Sequence, residues 1–140
     1  MAVEVESWSM TIFQPGLRKW RPAIALMIVI FGASSLTGAE LPTFGSWDYF
    51  VKKGGHALGY FLLALAYLRG LRGSARGSSA RLYWSGWLLA VLYAMTDEFH
   101  QSFVPGRHPS PLDVLVFDGA GAALAMLLSH AADKKIAGED

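Results

Sequence analysis

Between two strongly apolar segments, residues 97–113 gather Asp97, Glu98, His100, Gln101, Arg107, His108 and Asp113 into one polar block. Such a block next to apolar chain is costly unless it has a task, because an unpaired charge near lipid is unfavourable. The chemistry these side chains could perform is limited. Adjacent carboxylates, Asp97 and Glu98, can divide acid and base roles if their surroundings push their pKa values apart. They could also hold a hard cation such as Mg²⁺ or Ca²⁺, although their spacing matches no dedicated ion loop. The guanidinium of Arg107 suits a carboxylate or phosphate, which it can grip through two parallel hydrogen bonds. His100 and His108 fall where a loop is expected, and each alone is a weak signal. Neither a Gly-x-Ser-x-Gly elbow, a His-Glu-x-x-His pair, a P-loop nor a GxGxxG fingerprint is present, so motif alone assigns no enzyme.

A second group lies upstream. Lys53, His56 and Tyr60 are spaced i, i+3, i+7, which stacks them on one face of a helix. The residues between them are apolar or glycine, so this face points into a bundle rather than to water. Downstream, Tyr93, Asp97 and Gln101 recur every four residues and form one stripe, with Glu98 about 100° round from Asp97. In a regular α-helix Asp118 falls about 140° from Asp113 and deeper in an apolar segment, where it needs a partner; His56 or Lys53 is the natural candidate.

Four apolar stretches must carry these residues: about Leu17–Leu36, Gly54–Leu71 with a possible start near Ser46, Leu82–Thr96, and Leu112–Ala132. A bilayer core of ~30 Å needs about 20 helical residues. The first and last stretches reach that length; the middle two reach it by extending into their polar flanks. A soluble bundle should show a polar face at the helical period, and the first, second and fourth stretches are apolar on every face over most of their length. The fold expected is all-α, an integral membrane bundle of four transmembrane helices.

The basic residues orient it. Arg18, Lys19, Arg21, Arg69, Arg72, Arg76, Arg81, Lys134 and Lys135 fall on one side, nine of the twelve Lys and Arg, leaving Lys52, Lys53 and Arg107 opposite. The positive-inside rule then places both termini in the cytoplasm and the block 97–113 on the outer face. Trp8, Trp20, Trp47, Trp84 and Trp87 sit mostly near helix ends, as an interfacial belt requires.

Local chemistry refines the boundaries. Ser110-Pro111 offers an N-cap followed by proline at the first helical position. Asp113 at the third position would complete a capping box. Pro105-Gly106 suits the centre of a type II turn. Gly55-x-x-x-Gly59, with Gly54 beside it, would let the second helix meet Gly119–Ala123 of the fourth.

Composition narrows the rest. The chain has 140 residues, 53% hydrophobic and 16% charged, with a formal net charge of +1. That length suits one domain over residues 1–140, and the charge gives no case for nucleic acid. Cysteine is absent, which removes disulfides, a thiolate nucleophile and Cys-type zinc sites. Glu4 and Glu6 precede the first apolar run, unlike the basic start of a signal peptide. Arg69–Arg81 is the one linker-like stretch.

Lys53-x-x-His56-x-x-x-Tyr60, then Asp97-Glu98-x-His100-Gln101-x-Phe103-Val104-Pro105-Gly106-Arg107, then Asp113, resembles the VanZ-like family over about residues 44–128. The resemblance implies a small multi-pass protein of the bacterial cytoplasmic membrane, in a family whose founding member is associated with low-level resistance to the glycopeptide teicoplanin. Its signature residues here are Lys53, His56, Glu98, Gln101, Arg107 and Asp113. The family usually has Asn or Asp four residues after the Asp113 position. Phe117 stands there instead and Asp118 follows, so either Asp118 substitutes on a rotated helix or the second polar group is dispensable.

Three functions follow as expectations. One is an envelope protein binding an anionic lipid, a lipid-linked precursor or a glycopeptide through Lys53, His56, Tyr60, Asp97, Glu98, Gln101, Arg107 and Asp113. The second is a membrane enzyme with Glu98 or Asp97 as general base and His56 as proton shuttle. The third is an interhelical polar network with a purely structural role. No cofactor or resident metal is expected, and the sequence leaves the oligomeric state open.

Overall fold

The computed structural model describes residues 14–73 and 79–138, and all regular structure in them is helical. Four long helices follow one another: α1 Gln14–Ser34, α2 Asp48–Arg72, α3 Ser79–Gln101 and α4 Pro111–Ala137. A short 3-10 turn at Gly45–Trp47 leads into α2. Glu4, Glu6, Trp8 and Arg76 lie outside the described residues. Of the linker expected at Arg69–Arg81, both described ends are helical, since α2 runs on to Arg72 and α3 begins at Ser79. At its other end α3 outlasts its apolar stretch and carries Asp97, Glu98 and His100 on its last turns.

The helices alternate in direction, as contacts at the two ends of the bundle show. At one end Gly38 N–H donates to the Pro105 carbonyl at 3.0 Å, and Lys53 meets Asp113. At the other, Trp20 of α1 packs on Tyr67 of α2, while Arg72 of α2 and Tyr83 of α3 both reach Asp133 of α4. Helix α2 is the central element, packed against α1, α3 and α4.

The core separates residues by size. Ala64, Ala90, Ala122 and Ala125 are wholly enclosed, beside Tyr60 and Leu63. Large aliphatic residues such as Ile28, Leu88 and Leu127 stay at least half exposed. Small residues inside let helices approach closely. At the tightest point a Cβ on Gly121 would collide with the Ala57 carbonyl, so glycine permits the contact between α2 and α4. This corrects the expected Gly55-x-x-x-Gly59 surface. Gly54 and Gly55 face open space, and Gly59 looks towards Ile30 of α1.

Among the described residues, α4 is the one helix both long and apolar enough to cross a membrane by length and composition. The other three carry charges within their ends: Arg18, Lys19 and Arg21 in α1; Lys52, Lys53, Arg69 and Arg72 in α2; Arg81, Asp97 and Glu98 in α3.

Candidate functional site

The polar face of α2 meets two carboxylates of α4 in sequence. Lys53 Nζ donates to Asp113 Oδ2 and also lies 5.8 Å from the centre of the Phe117 ring. One turn further in, His56 Nδ1 is 3.4 Å from Asp118 Oδ1. Lys53 and His56 are three residues apart, whereas Asp113 and Asp118 are five apart. An α-helix would swing Asp118 away from α2. The structure resolves the mismatch with a π-helical segment at Val114–Asp118, closed by Gly119 N–H on the Val114 carbonyl. A wider turn absorbs one extra residue, so both carboxylates face α2. Asp118 therefore stands on a locally rewound helix.

The expected capping box at α4 does not form. Ser110 has the extended backbone of an N-cap residue, but its side chain makes no capping bond, and Asp113 is spent on Lys53. Glu98, reaching over from α3, accepts the Ser110 N–H through Oε1. A carboxylate from another helix thus takes the role Asp113 was expected to fill, which frees Asp113 for its ion pair.

Further inside, Asp97 is almost fully buried and accepts through Oδ2 from Ser34 Oγ at 2.7 Å and Gln101 Nε2 at 3.0 Å. Gln101 Nε2 also lies 3.3 Å from Ser34 Oγ. This triad ties α1 to α3. Nothing in the sequence singles out Ser34, since a serine at the tail of an apolar segment looks like a helix end. Tyr93 OH donates to the Met27 carbonyl at 2.6 Å and makes a second tie between the same helices. Of the buried oxygens, Tyr60 Oη and Asp97 Oδ1 make no well-formed hydrogen bond among the described residues, and Asp118 Oδ1 has only the long contact to His56.

Arg107 departs furthest from expectation. Its Nε donates to the Leu36 carbonyl at 2.9 Å and its Nη2 to the Ala33 carbonyl at 2.6 Å. Those carbonyls lie in the last turn of α1 and just past its C-terminal end, where a cation is favoured. Partial burial lowers the Arg107 pKa below the ordinary arginine value, and the charges of Asp97 and Glu98 oppose that. The Pro105-Gly106 turn presents the guanidinium: Arg107 N–H donates to Val104 O at 3.2 Å, and Gly106 has φ +73°. A Cβ on Gly38 would collide with the Gly106 carbonyl, so the two loops can close only through glycine. His100 is no loop residue either. Its ring lies tilted against Phe31, with centroids 4.4 Å apart, and its Nδ1 is enclosed with no hydrogen-bond partner among the described residues.

The signature residues therefore share one end of the bundle without converging on one cavity. Lys53 with Asp113, and His56 with Asp118, line the interface of α2 and α4. Asp97 and Gln101 serve α1 and α3, and Arg107 holds α1. Glu98 lines a cavity of about 430 Å³ shaped by Met95, Phe99, Pro109, Pro111, Val114 and Leu115. A larger groove of about 620 Å³ lies between α3 and α4 nearer the other end, lined by Trp84, Trp87, Met126 and His130. Among the described residues no group of three or more His, Cys, Asp or Glu side chains is arranged to hold a metal ion.

Comparison with known proteins returns one family. The family model described as VanZ/LLP1 matches residues 10–133, most of the chain. No curated protein and no solved structure matches.

Proposed function

The chain belongs to the VanZ-like family, and from that premise we propose that it is a multi-pass protein of the bacterial cell envelope that binds a lipid or lipid-linked envelope molecule at its outer end. Four spanning helices are supported by length and by surface. At ~1.5 Å per residue, α1, α2 and α3 reach about 31, 37 and 34 Å, enough for a hydrocarbon core of ~30 Å. Each helix turns large aliphatic or aromatic side chains outward. The basic residues favour cytoplasmic termini, which puts the Glu98 cavity at the outer interface.

The observation that carries the binding proposal is the cavity beside Glu98, apolar in most of its lining and bounded by one carboxylate. Such a space suits the start of an acyl or prenyl chain with a polar group at its mouth. The anion grip expected of Lys53 and Arg107 is less favoured. All three outer cations are engaged: Lys52 with Asp48, Lys53 with Asp113, and Arg107 with α1 carbonyls. A glycopeptide or anionic precursor would have to displace one of these. The enzymatic alternative is weakened in the same way, since Glu98 and His56 are held by different partners.

Filling the cavity tests the proposal. Leu115→Trp should release lipid that the wild type retains through purification, as measured by lipid mass spectrometry, while the helical content stays constant. Equal retention by both would defeat it. The second reading is the structural network, favoured by the pairing of Lys53, His56, Asp97, Gln101 and Arg107. If it is the whole account, Leu115→Trp changes no bound molecule, whereas Arg107→Ala loosens the bundle.

A further inference from the structure

The cavity beside Glu98 offers hydrogen-bond acceptors and almost no donors. Glu98 Oε1 holds the Ser110 N–H, and Oε2 accepts no bond among the described residues. Ser102, also in the lining, spends its hydroxyl proton on the Phe99 carbonyl at 2.6 Å and has only lone pairs left. Pro109 and Pro111 have no N–H to give, and the N–H between them, that of Ser110, is taken. Helix starts ordinarily attract anions through free N–H groups; this one has proline at its first position and a carboxylate on its N-cap. The cations nearby, Lys53 and Arg107, point to Asp113 and to α1 carbonyls.

We propose that this cavity recognises a lipid whose head group carries a primary ammonium, with Glu98 Oε2 as the acceptor and the apolar walls holding the adjoining chain. The inference rests on the lipid-binding reading above and specifies its head group. An ammonium brings three N–H donors and a positive charge, matching a site with one open carboxylate oxygen and hydroxyl lone pairs. A phosphate alone finds no donor there, and a quaternary ammonium supplies charge without N–H.

The test loads the purified full-length chain with phosphatidylethanolamine, phosphatidylcholine or phosphatidylglycerol of identical acyl chains and reads retention by native mass spectrometry. Wild type should keep phosphatidylethanolamine roughly fivefold more than either other lipid, the scale of a partly exposed charged hydrogen bond. Glu98→Gln should bring that ratio to about one, because the amide can still accept the Ser110 N–H but has no charge. Leu115→Trp should lower retention of all three. Equal retention of the three lipids by wild type, with loss in Leu115→Trp, overturns the head-group inference and leaves the lipid-binding reading intact. Retention indifferent to Leu115→Trp overturns the reading itself. A preference for phosphatidylglycerol overturns the inference in favour of an anion site.

Discussion

Asp97 and Tyr60 are both enclosed by the bundle, yet their polar atoms are served differently, and that difference is measurable. Asp97 Oδ2 takes two donors, from Ser34 and Gln101, while Tyr60 Oη makes no well-formed hydrogen bond among the described residues. Removing a donor from a buried carboxylate strands part of its charge; removing a hydroxyl that makes no well-formed hydrogen bond strands little. Hydrogen bonds between membrane helices average ~0.6 kcal/mol and reach ~1.7. A charged acceptor belongs at the upper end, so Ser34→Ala should cost about 1–2 kcal/mol. Tyr60→Phe should be neutral or slightly stabilising. Unfolding in a mild detergent, with the two variants beside the wild type, reads both; a larger loss for Tyr60→Phe would show that its hydroxyl has a partner such as an internal water. The spacing of Tyr93, Asp97 and Gln101 made their common face legible from sequence. Their partners were not legible, because Ser34 comes from a helix 63 residues away from Asp97 in the chain.

Helix α4 shows what a periodic pattern conveys and where it fails. Its apolar run and its Ser-Pro start fixed its location, but a uniform 100° per residue placed Asp118 off the α2 face. The π segment is a local departure imposed by the pairing of Lys53 and His56 with two carboxylates, so only tertiary context reveals it. A deletion tests this reading. Removing Val116, an exposed residue with no polar side chain to lose, should convert the wide turn to an α turn and keep both carboxylates facing α2. Stability should stay within about 1 kcal/mol of wild type, since a π turn is itself a disfavoured geometry. Removing Leu124, equally exposed but in regular α-helix, should rotate everything after it by about 100° and drive Ala125 and Met126 out of the core. That variant should fail to fold. If both deletions are equally damaging, the wide turn has some other purpose than register. Arg107 illustrates the same limit: its turn was readable in Pro105-Gly106, but its target, the carbonyls of Ala33 and Leu36 at the end of α1, depends on how the two loops meet.

The bundle encloses seven alanines and leaves many leucines, isoleucines and tryptophans on its surface, a distribution that bears on the solvent proposed for it. In water this arrangement would leave many large apolar side chains, Ile28, Leu88 and Leu127 among them, exposed for no return, while about half of the buried core positions hold only alanine. In a bilayer the cost disappears, because lipid is as apolar as leucine and close packing of small residues drives association. Four helices were legible in the apolar stretches and in the charges at their ends; which residues face outward was not, since all-round apolar helices have no period to read. A charge placed on that outer surface separates the two solvents. Leu88→Lys and Leu127→Lys should each cost about 2–3 kcal/mol and lower the amount of protein inserted, as expected for lysine facing lipid. The same change at Leu17, near the start of α1 where a long side chain can reach the interface, should cost much less. The measurement is the membrane-integrated fraction of each variant after carbonate extraction. In a bundle surrounded by water, all three substitutions would be neutral or would improve solubility. Position dependence that follows distance from the helix ends, and not burial within the fold, is the pattern only a bilayer produces.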